Sequence, residues 1–319
     1  MKPPSSTASG IVLIDKPGGF TSHDVVARTR RLAGTRKVGH AGTLDPMATG
    51  LLILGVNSST RLLTYVVGLD KEYLATIRLG AATTTDDVEG EILKRAEPGA
   101  LEGLDTAAVD AALEPQRGTV EQVPSSVSAI KVDGRRAYAR VRAGEDVVLK
   151  SRTVTISELE VLGEARSALD EGGNPVLDVD VRVVCSSGTY IRAIARDLGA
   201  ALGVGGHLTS LRRTRVGPFR VTDAATLVDL DARAEAGESL RLLPAAEVAR
   251  ALFPVLDVDA ADAAALGHGQ RIRVADELPE GPVAAVTAEG RLVGLLERQG
   301  SKAKSIVNFP PDEYEDAAR

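Results

Sequence analysis

The sequence has little cysteine, little histidine and no long apolar segment, and each shortage excludes a class of protein. A single cysteine, Cys185, among 319 residues excludes internal disulfides and a zinc site built from clustered cysteines. The four histidines are scattered without the close spacing of metal ligands, so we expect no metal. No apolar run reaches the length of a membrane span and no basic-then-apolar leader occurs, so we expect a cytoplasmic protein without membrane attachment.

The composition is that of a folded chain with unevenly distributed charge. Hydrophobic residues make up 44% of the 319 residues, enough for one large domain and one small one. The formal net charge is −6, yet residues 1–220 carry 28 Lys and Arg against 26 Asp and Glu, whereas residues 221–319 carry 10 against 18. Basic residues of the first part cluster at 28–37, 131–142 and 212–215. Such patches can meet a phosphate backbone, although most arginine clusters are only solvated faces.

Periodicity predicts a large α+β domain followed by a small β-rich one. Many strands interleaved with few helices favour a mixed or antiparallel sheet over residues 10–248, after a disordered tail at 1–9. Residues 124–150 are a polar, basic segment between valine-rich strands, and residues 249–319 predict a compact β unit. The individual predictions are strands over 10–14, 51–56, 71–79, 177–185 and 207–216, a helix over 21–32 capped by Thr21 or Ser22, a helical connector over 227–247, and short strands over 266–270, 283–286, 292–296 and 306–309.

The segment 39–46, GHAGTLDP, is the most informative stretch of the chain. Pro46 disfavours helical geometry at Asp45 and fixes the chain direction after it. Gly39 and Gly42 permit close backbone approach or positive φ. A carboxylate held in this way before a buried strand suits a nucleophile that must be presented rigidly. The same residues also fit a simple Asp-Pro turn in which Asp45 bonds its own backbone.

Together with ATGLL at 48–52, this string closely resembles the nucleophile motif of the pseudouridine synthases. The resemblance is to the branch that contains the bacterial tRNA pseudouridine(55) synthases and the catalytic subunit of box H/ACA particles, and it extends from Ile11 to Phe219. It implies that Asp45 is catalytic and that the protein isomerises uridine 55 in the T loop of tRNA after flipping the base. It implies no cofactor, metal or redox step. Whether Asp45 attacks the base or the sugar, or assists elimination through the 2′ position, stays open.

Two further residues are assigned to catalysis by this resemblance. Tyr73 matches a Lys/Arg-x-Tyr motif and would stack on the target base, although a lone tyrosine at a strand start is more often a core residue. Arg192 matches a Gly-Thr-Tyr-Ile-Arg motif near a helix start, where the helix dipole disfavours a cation unless a carboxylate faces it. The resemblance implies that this carboxylate is Asp45, whereas spacing alone also allows a pair with Asp197.

The resemblance assigns a larger set of residues to contact with RNA. His40 would occupy the space of the everted base, Leu211 would pack beneath the flipped nucleotide, and Lys16 would brace the catalytic loop or touch phosphate. Asp87 falls where the family often carries an acidic partner for RNA, but the local string TTTDD departs from the usual pattern. The remaining members are Lys131, Arg135, Arg136, Tyr190 and Arg213.

Two rival interpretations are an H/ACA catalytic subunit and a non-enzymatic RNA chaperone, and the polar segment 124–150 bears on the first of them. This segment resembles the RNA-clasping insertion of the stand-alone enzymes, which the H/ACA subunits lack, so we expect a monomer with no obligatory protein partner. The C-terminal segment loosely resembles the RNA-binding PUA domain, although its acidity argues against RNA contact. A non-enzymatic RNA chaperone would use the same surface, but the presence of Asp45, Tyr73 and Arg192 together argues for catalysis.

Overall fold

The computed structural model describes residues 8–125, 131–132, 135–136, 150–275 and 278–310, with the backbone alone at 131–132 and 135–136. The chain divides into two compact units. The first comprises Met1–Pro46, Gly50–Val67 and Pro218–Arg319, and the second comprises Met47–Thr49 and Gly68–Gly217. The described part of the chain contains no helix long and apolar enough to cross a bilayer.

Within the described residues, strands are interspersed with a smaller number of short helices. The strands are β1 (Gly10–Lys16), β2 (Val38–Ala41), β3 (Thr49–Val56), β4 (Lys71–Leu79), β5 (Ala81–Thr83), β6 (Ile92–Arg95), β7 (Gly118–Gln122), β8 (Lys131–Val132), β9 (Arg135–Arg136), β10 (Arg152–Val161), β11 (Arg166–Leu169), β12 (Pro175–Cys185), β13 (Gly206–Val216), β14 (Phe219–Arg220), β15 (Ala225–Thr226), β16 (Val255–Val258), β17 (Ile272–Arg273), β18 (Val283–Thr287), β19 (Leu292–Gln299) and β20 (Lys302–Asn308). The α-helices are α1 (Ser22–Leu32), α2 (Leu63–Val67), α3 (Thr106–Leu113), α4 (Ile191–Ala201), α5 (Leu227–Glu235), α6 (Ala245–Leu252) and α7 (Ala260–Gly267).

In the first unit, β1 and β3 form the centre of the sheet that carries the GHAGTLDP segment. β1 pairs antiparallel with β3 and parallel with β15, so the sheet is mixed as predicted. β2 pairs antiparallel with β3, with His40 opposite Leu54. Every residue from Gly50 to Val56 is buried, which explains why β3 is a continuous apolar run rather than an alternating one.

The C-terminal part of the first unit forms a sheet of its own, in the order β16-β18-β19-β20-β17. Its core is made by apolar side chains of the strands and of α7: Val258, Ala263, Leu266, Ile272, Ala285, Val293, Leu296 and Ala303. The prediction of a β-rich C-terminal region is confirmed. The further likeness to a PUA domain, and the boundary at residue 249, stay predictions.

In the second unit, the strands run in the order β13-β4-β12-β10-β7, and every adjacent pair is antiparallel. β4 lies between β12 and β13 and covers the residues predicted from strict alternation, 71–79. α4 follows β12 and buries Ile191, Ile194 and Leu198. β8 and β9 pair through Lys131 with Arg136, whereas residues 126–130, 133–134 and 137–149 of the predicted insertion lie outside the described residues.

Three local predictions need correction or refinement. The predicted strand at 266–270 is wrong, because Asp259 caps α7 through the Asp262 amide and the helix continues to Gly267. The predicted connector over 227–247 is two helices, since Gly237 has a φ of +82° and Pro244 precedes α6. Thr21, not Ser22, caps α1, in a reciprocal capping box with Asp24.

Candidate active site

Asp45 lies half-buried on the loop between β2 and β3, and both of its neighbours in the chain are anchored. On one side, Leu44 is buried, and its amide donates to the Ser22 hydroxyl at 2.9 Å. The same hydroxyl lies 3.2 Å from the Leu44 carbonyl oxygen. On the other side, the Pro46 carbonyl oxygen accepts from the Gly19 amide at 2.9 Å. The backbone that carries the carboxylate is therefore fixed immediately before and after it.

Lys16 adds a second anchor on the Pro46 side of this loop. The residue is fully buried, with a relative exposure of 0%, at the end of β1. Its Nζ donates to the carbonyl oxygens of Pro17, Phe20 and Pro46 at 2.9, 2.6 and 3.1 Å. A buried ammonium requires such acceptors, because an uncompensated charge in the interior is costly. Of the two roles predicted for Lys16, this geometry favours bracing the loop.

The glycines of the segment serve two different purposes. Gly42 has a φ of +84°, so it makes the turn out of β2 in a conformation that other residues rarely adopt. Gly39 has no positive φ, but a Cβ there would lie 3.3 Å from Leu63 Cδ1, so its role is close approach to α2. His40, between them, is half-buried and packs edge to face against the exposed His23, with ring centroids 5.8 Å apart.

In the second unit, the predicted base-contacting residues lie on neighbouring strands. Tyr73 on β4 is opposite Arg213 on β13, and Leu211 on β13 is opposite Ala75 on β4. Tyr73, Leu211 and Arg213 are all buried. Their contacts with RNA stay predictions.

A carboxylate faces Arg192, and within the second unit it belongs to Asp87. Arg192 lies in the first turn of α4, and its Nη1 is 3.3 Å from Asp87 Oδ2 and 3.1 Å from the Thr85 carbonyl oxygen. Both side chains of this ion pair are almost completely buried, with relative exposures of 7% and 2%. Removing one member of such a pair deprives a buried charge of its counter-ion, which is strongly destabilising. The predicted pair with Asp45 stays a prediction.

The Asp87 carboxylate is held by the turn that carries it. Its Oδ1 accepts from the Thr85 hydroxyl and from the Glu89 amide, the latter at 3.0 Å. The preceding residue, Asp86, has a φ of +58°, an uncommon conformation that persists only where the surroundings fix it. The Asp86 carbonyl oxygen accepts from the Leu208 amide at 3.0 Å, which ties the turn to β13. Asp87 is thus built into the protein as a partner of Arg192, and its predicted contact with RNA stays untested.

Tyr190 precedes α4, and its backbone is clamped by a side chain from β7. The Gln122 Oε1 accepts from the Tyr190 amide at 2.7 Å, and Gln122 Nε2 donates to the Tyr190 carbonyl oxygen at 3.0 Å. The side chains of Lys131, Arg135 and Arg136 lie outside the described residues, so their RNA contacts stay predictions. In the described part of the chain, no group of three or more His, Cys, Asp or Glu side chains is arranged to hold a metal ion.

Sequence reasoning missed four residues that surround Asp45 or Arg192: Ser22, Asp86, Gln122 and Ser125. Ser22 follows a helix cap, and its hydroxyl points instead to a loop that is 22 residues away. The only local signal is at Asp86, since two consecutive aspartates after three threonines are typical of a turn with positive φ. Gln122 and Ser125 gave no signal because their partners are distant in sequence.

Family models match almost all of the described chain. The model described as "TruB family pseudouridylate synthase (N terminal domain)" matches residues 30–191. The chain belongs to the TruB family. Residues 192–255 match the model described as "tRNA pseudouridylate synthase B C-terminal domain", and residues 253–310 match "tRNA Pseudouridine synthase II, C terminal". The family assignment made from the Asp45 motif is confirmed.

Individual relatives match this TruB family member over nearly the full length of both chains. A protein of Leifsonia xyli subsp. xyli named tRNA pseudouridine synthase B is 60% identical over 96% of this chain and 98% of its own. A protein of the same name from Thermobifida fusca is 53% identical over 95% and 99%. Among solved structures, a Cbf5-Nop10-Gar1 complex contains a chain with a TM-score of 0.67 and 26% identity, covering 97% of this chain and 87% of its own. An H/ACA RNP bound to a substrate RNA containing 2′-deoxyuridine gives the same values.

Proposed function

We propose that this protein is a tRNA pseudouridine synthase that converts uridine 55 in the T loop to pseudouridine. The observation that carries the proposal is the Asp45 loop, in which both neighbours of a motif carboxylate are anchored by buried groups. Relatives named tRNA pseudouridine synthase B, 50–60% identical over more than nine-tenths of the chain, support the substrate class. The choice of position 55 and of the T arm rests on the resemblance of the motif.

In this proposal the reaction is an isomerisation performed by the protein's own side chains. The enzyme everts the uridine, because a stacked and paired base cannot reach a carboxylate on a protein loop. Asp45 then initiates cleavage of the glycosidic bond between N1 and C1′, and the uracil rotates so that C5 bonds to C1′. The proton that C5 loses is balanced by one that N1 gains, so the product is an isomer of the substrate. Tyr73 stacks on the base, and Arg192 orients the Asp45 carboxylate. An adjacent guanidinium favours the ionised form of a carboxyl group, which is the form a nucleophile requires.

The stand-alone form of the enzyme is favoured over an H/ACA-type subunit. This chain covers 98–99% of the length of two relatives named tRNA pseudouridine synthase B, at 53–60% identity. The H/ACA chains are only 26% identical to it. We therefore propose a cytoplasmic monomer that acts on tRNA without a guide RNA or a protein partner.

The decisive experiment uses the purified protein alone with an unmodified tRNA transcript. Pseudouridine is mapped at each nucleotide by carbodiimide labelling and primer extension. We expect product at position 55 only, and none in a matched transcript with cytidine at that position. Product at another position would refute the site, and tRNA binding without product would favour the RNA chaperone.

A further inference from the structure

The segment that leads from β7 into the predicted insertion is attached to the helix that carries Arg192. We call residues Gln122–Ser125, at the end of β7, the root segment. Gln122 and Ser125 are both buried, with relative exposures of 5% and 0%. α4 begins without a side-chain cap of its own, and the Gln122 amide exchanges two hydrogen bonds with the backbone of Tyr190 just before it. The start of α4 is therefore fixed by a side chain of the root segment.

Arg196, one turn after Arg192 on α4, makes a second attachment. Its Nη2 donates to the Val123 carbonyl oxygen of the root segment at 2.9 Å. Its Nη1 lies 3.5 Å from Asp86 Oδ2, so the same guanidinium also holds the turn that carries Asp87. Burial raises the pKa of the Asp86 carboxyl, and Ser125, Arg196 and Arg192 all act in the opposite direction. The turn, the helix and the root segment thus share one set of polar contacts.

The Thr85 carbonyl oxygen is the point where the root segment meets Arg192. It accepts from Ser125 Oγ at 3.1 Å and from Arg192 Nη1 at 3.1 Å. A carbonyl oxygen has two lone pairs, so one backbone group can bind both donors at once. Because Arg192 Nη1 contacts both Thr85 and Asp87, a displacement of this carbonyl changes the position of the guanidinium.

From this geometry we infer that Gln122 and Ser125 are positioning residues for Arg192. They hold the start of α4 and the Thr85 carbonyl in position, and this keeps the guanidinium oriented. Gln122 and Ser125 themselves do not touch the substrate. The inference rests on the proposed function, in which Arg192 acts in catalysis. It gives the root segment a role in the rate of the reaction, separate from any role in the affinity for tRNA.

The test compares Ser125→Ala with the matched control Ser157→Ala. Ser157 also donates a hydroxyl to a carbonyl oxygen of the second unit, that of Val184 at 3.1 Å, but it is exposed on β10. We expect Ser125→Ala to lower the single-turnover rate at saturating tRNA about five- to tenfold, a tenfold loss being about 1.4 kcal/mol of barrier. The dissociation constant for tRNA should stay within about twofold, and the control should change neither quantity.

A double-mutant cycle separates positioning of Arg192 from a general structural role. In an Arg192→Lys background, Ser125→Ala should change the remaining rate by less than about twofold, because the group that it positions is already impaired. Gln122→Met, which keeps the length of the side chain and removes both bonds to Tyr190, should behave in the same way. Losses that multiply fully in the double variants, or a loss in affinity instead of rate, would overturn the inference.

Hydrogen exchange keeps this inference distinguishable from the proposed function. If the unaltered protein forms no pseudouridine, the proposed function fails, and exchange still reports on the attachment. We expect Ser125→Ala to speed exchange of the Glu89 and Leu208 amides, which donate to Asp87 and Asp86 in the turn. Unchanged exchange at both amides would overturn the inference even in an active enzyme.

Discussion

The two regions that carry the predicted catalytic residues are immobilised in opposite ways. Around Asp45, the contacts fall on the backbone of its neighbours, through Ser22 on Leu44 and Lys16 on Pro46. Around Arg192, the contacts fall on the functional group itself, which binds the Asp87 carboxylate and the Thr85 carbonyl oxygen. Asp45 is half-buried, whereas Arg192 and Asp87 are almost completely buried.

This difference fits the different demands on a reacting group and on an orienting group. A carboxylate that forms or breaks bonds during the reaction must be presented at a fixed position, and anchoring the backbone on both sides of it achieves this without occupying the oxygen that reacts. A guanidinium that only orients a partner loses nothing by being bound directly, and gains rigidity. We therefore expect substitutions of flanking residues to impair the region around Asp45. In the region around Arg192, we expect impairment when a contact of the guanidinium itself is removed.

Asp45→Asn is expected to have the largest effect, because it removes the charge and the nucleophilicity while keeping the shape. Product formation should be abolished and tRNA affinity should be nearly unchanged, as measured by single-turnover assays and filter binding. Asp105→Asn is the matched control, since Asp105 caps α3 through the Ala108 amide and asparagine caps equally well. Residual turnover within about tenfold of the wild type would rule out Asp45 as the nucleophile, since tenfold is only about 1.4 kcal/mol.

Arg192→Lys should come next, with turnover falling on the order of a hundredfold and affinity within a few-fold. Lysine keeps the charge but has a single nitrogen. It cannot bind Asp87 and Thr85, which Arg192 contacts through Nη1, and also present a second donor nitrogen to Asp45 as the proposed function requires. Arg78→Lys is the control, because Arg78 makes a two-point pair with Asp178 on β12, outside the predicted catalytic residues. If Arg192→Lys changed affinity alone, Arg192 would be a contact to the RNA backbone.

Lys16→Met tests the first region through a flanking residue. The substitution removes the donor from three carbonyl oxygens, including that of Pro46, and should loosen the loop without altering Asp45. We expect about a tenfold loss of single-turnover rate, about 1.4 kcal/mol of barrier, with affinity unchanged. Ser22→Ala should act in the same direction with a smaller loss, because a neutral hydrogen bond is weaker than a charged one.

The surface lysine Lys94 provides the control for this experiment. It is exposed on β6, and Lys94→Met removes the same charge without touching the Asp45 loop. If Lys16→Met lowered affinity and left the rate unchanged, Lys16 would act on phosphate and not as a brace. The comparison between backbone anchoring and direct anchoring would then fail for the first region.

Local patterns in the sequence were sufficient where the determining interactions are themselves local. Strict alternation predicts β4 over its full length, and Gly42 permits the positive φ of the turn after β2, because both depend on neighbours in the chain. The anchors of the Asp45 loop are not local, since Ser22 and Lys16 lie 22 and 30 residues from their partners Leu44 and Pro46. The position of Arg192 at a helix start predicts that a carboxylate faces it, because the helix dipole acts over one turn.

Identifying Asp87 as a partner of Arg192 was beyond the same reasoning. Asp87 lies 105 residues before Arg192, and nothing in either neighbourhood specifies the pairing of the two. Likewise, no spacing links Gln122 to Tyr190 across 68 residues. The predicted strand at 266–270 failed for another reason, because an apolar residue followed by glycine fits both a strand edge and the last turn of a capped helix. Such choices are decided by tertiary packing.

Each unit contains a buried lysine, and for Lys71 of the second unit burial makes the stability of the protein depend on pH. Lys71 on β4 is buried and donates to the Leu69 carbonyl oxygen, as Lys16 does to three carbonyls in the first unit. Burial, followed by the charge of Arg213, lowers the pKa of Lys71 to about 8. The pKa of an unfolded lysine is about 10.4, so between this pKa and that of folded Lys71 the unfolded chain binds more protons than the folded one. Stability from this group must therefore rise with pH in that window.

Lys71→Met isolates this contribution from every other titration. Below pH 8 the lysine is protonated in both states, so the difference in unfolding free energy between wild type and variant should be constant with pH. From pH 8 to 10 the wild type should gain about 1–2 kcal/mol relative to the variant, since the slope cannot exceed about 1.4 kcal/mol per pH unit. Urea unfolding at several pH values measures it, with Lys94→Met as the exposed control. A difference that stays constant up to pH 10 would mean that the folded protein keeps Lys71 charged, as well solvated by its acceptors as lysine is in water.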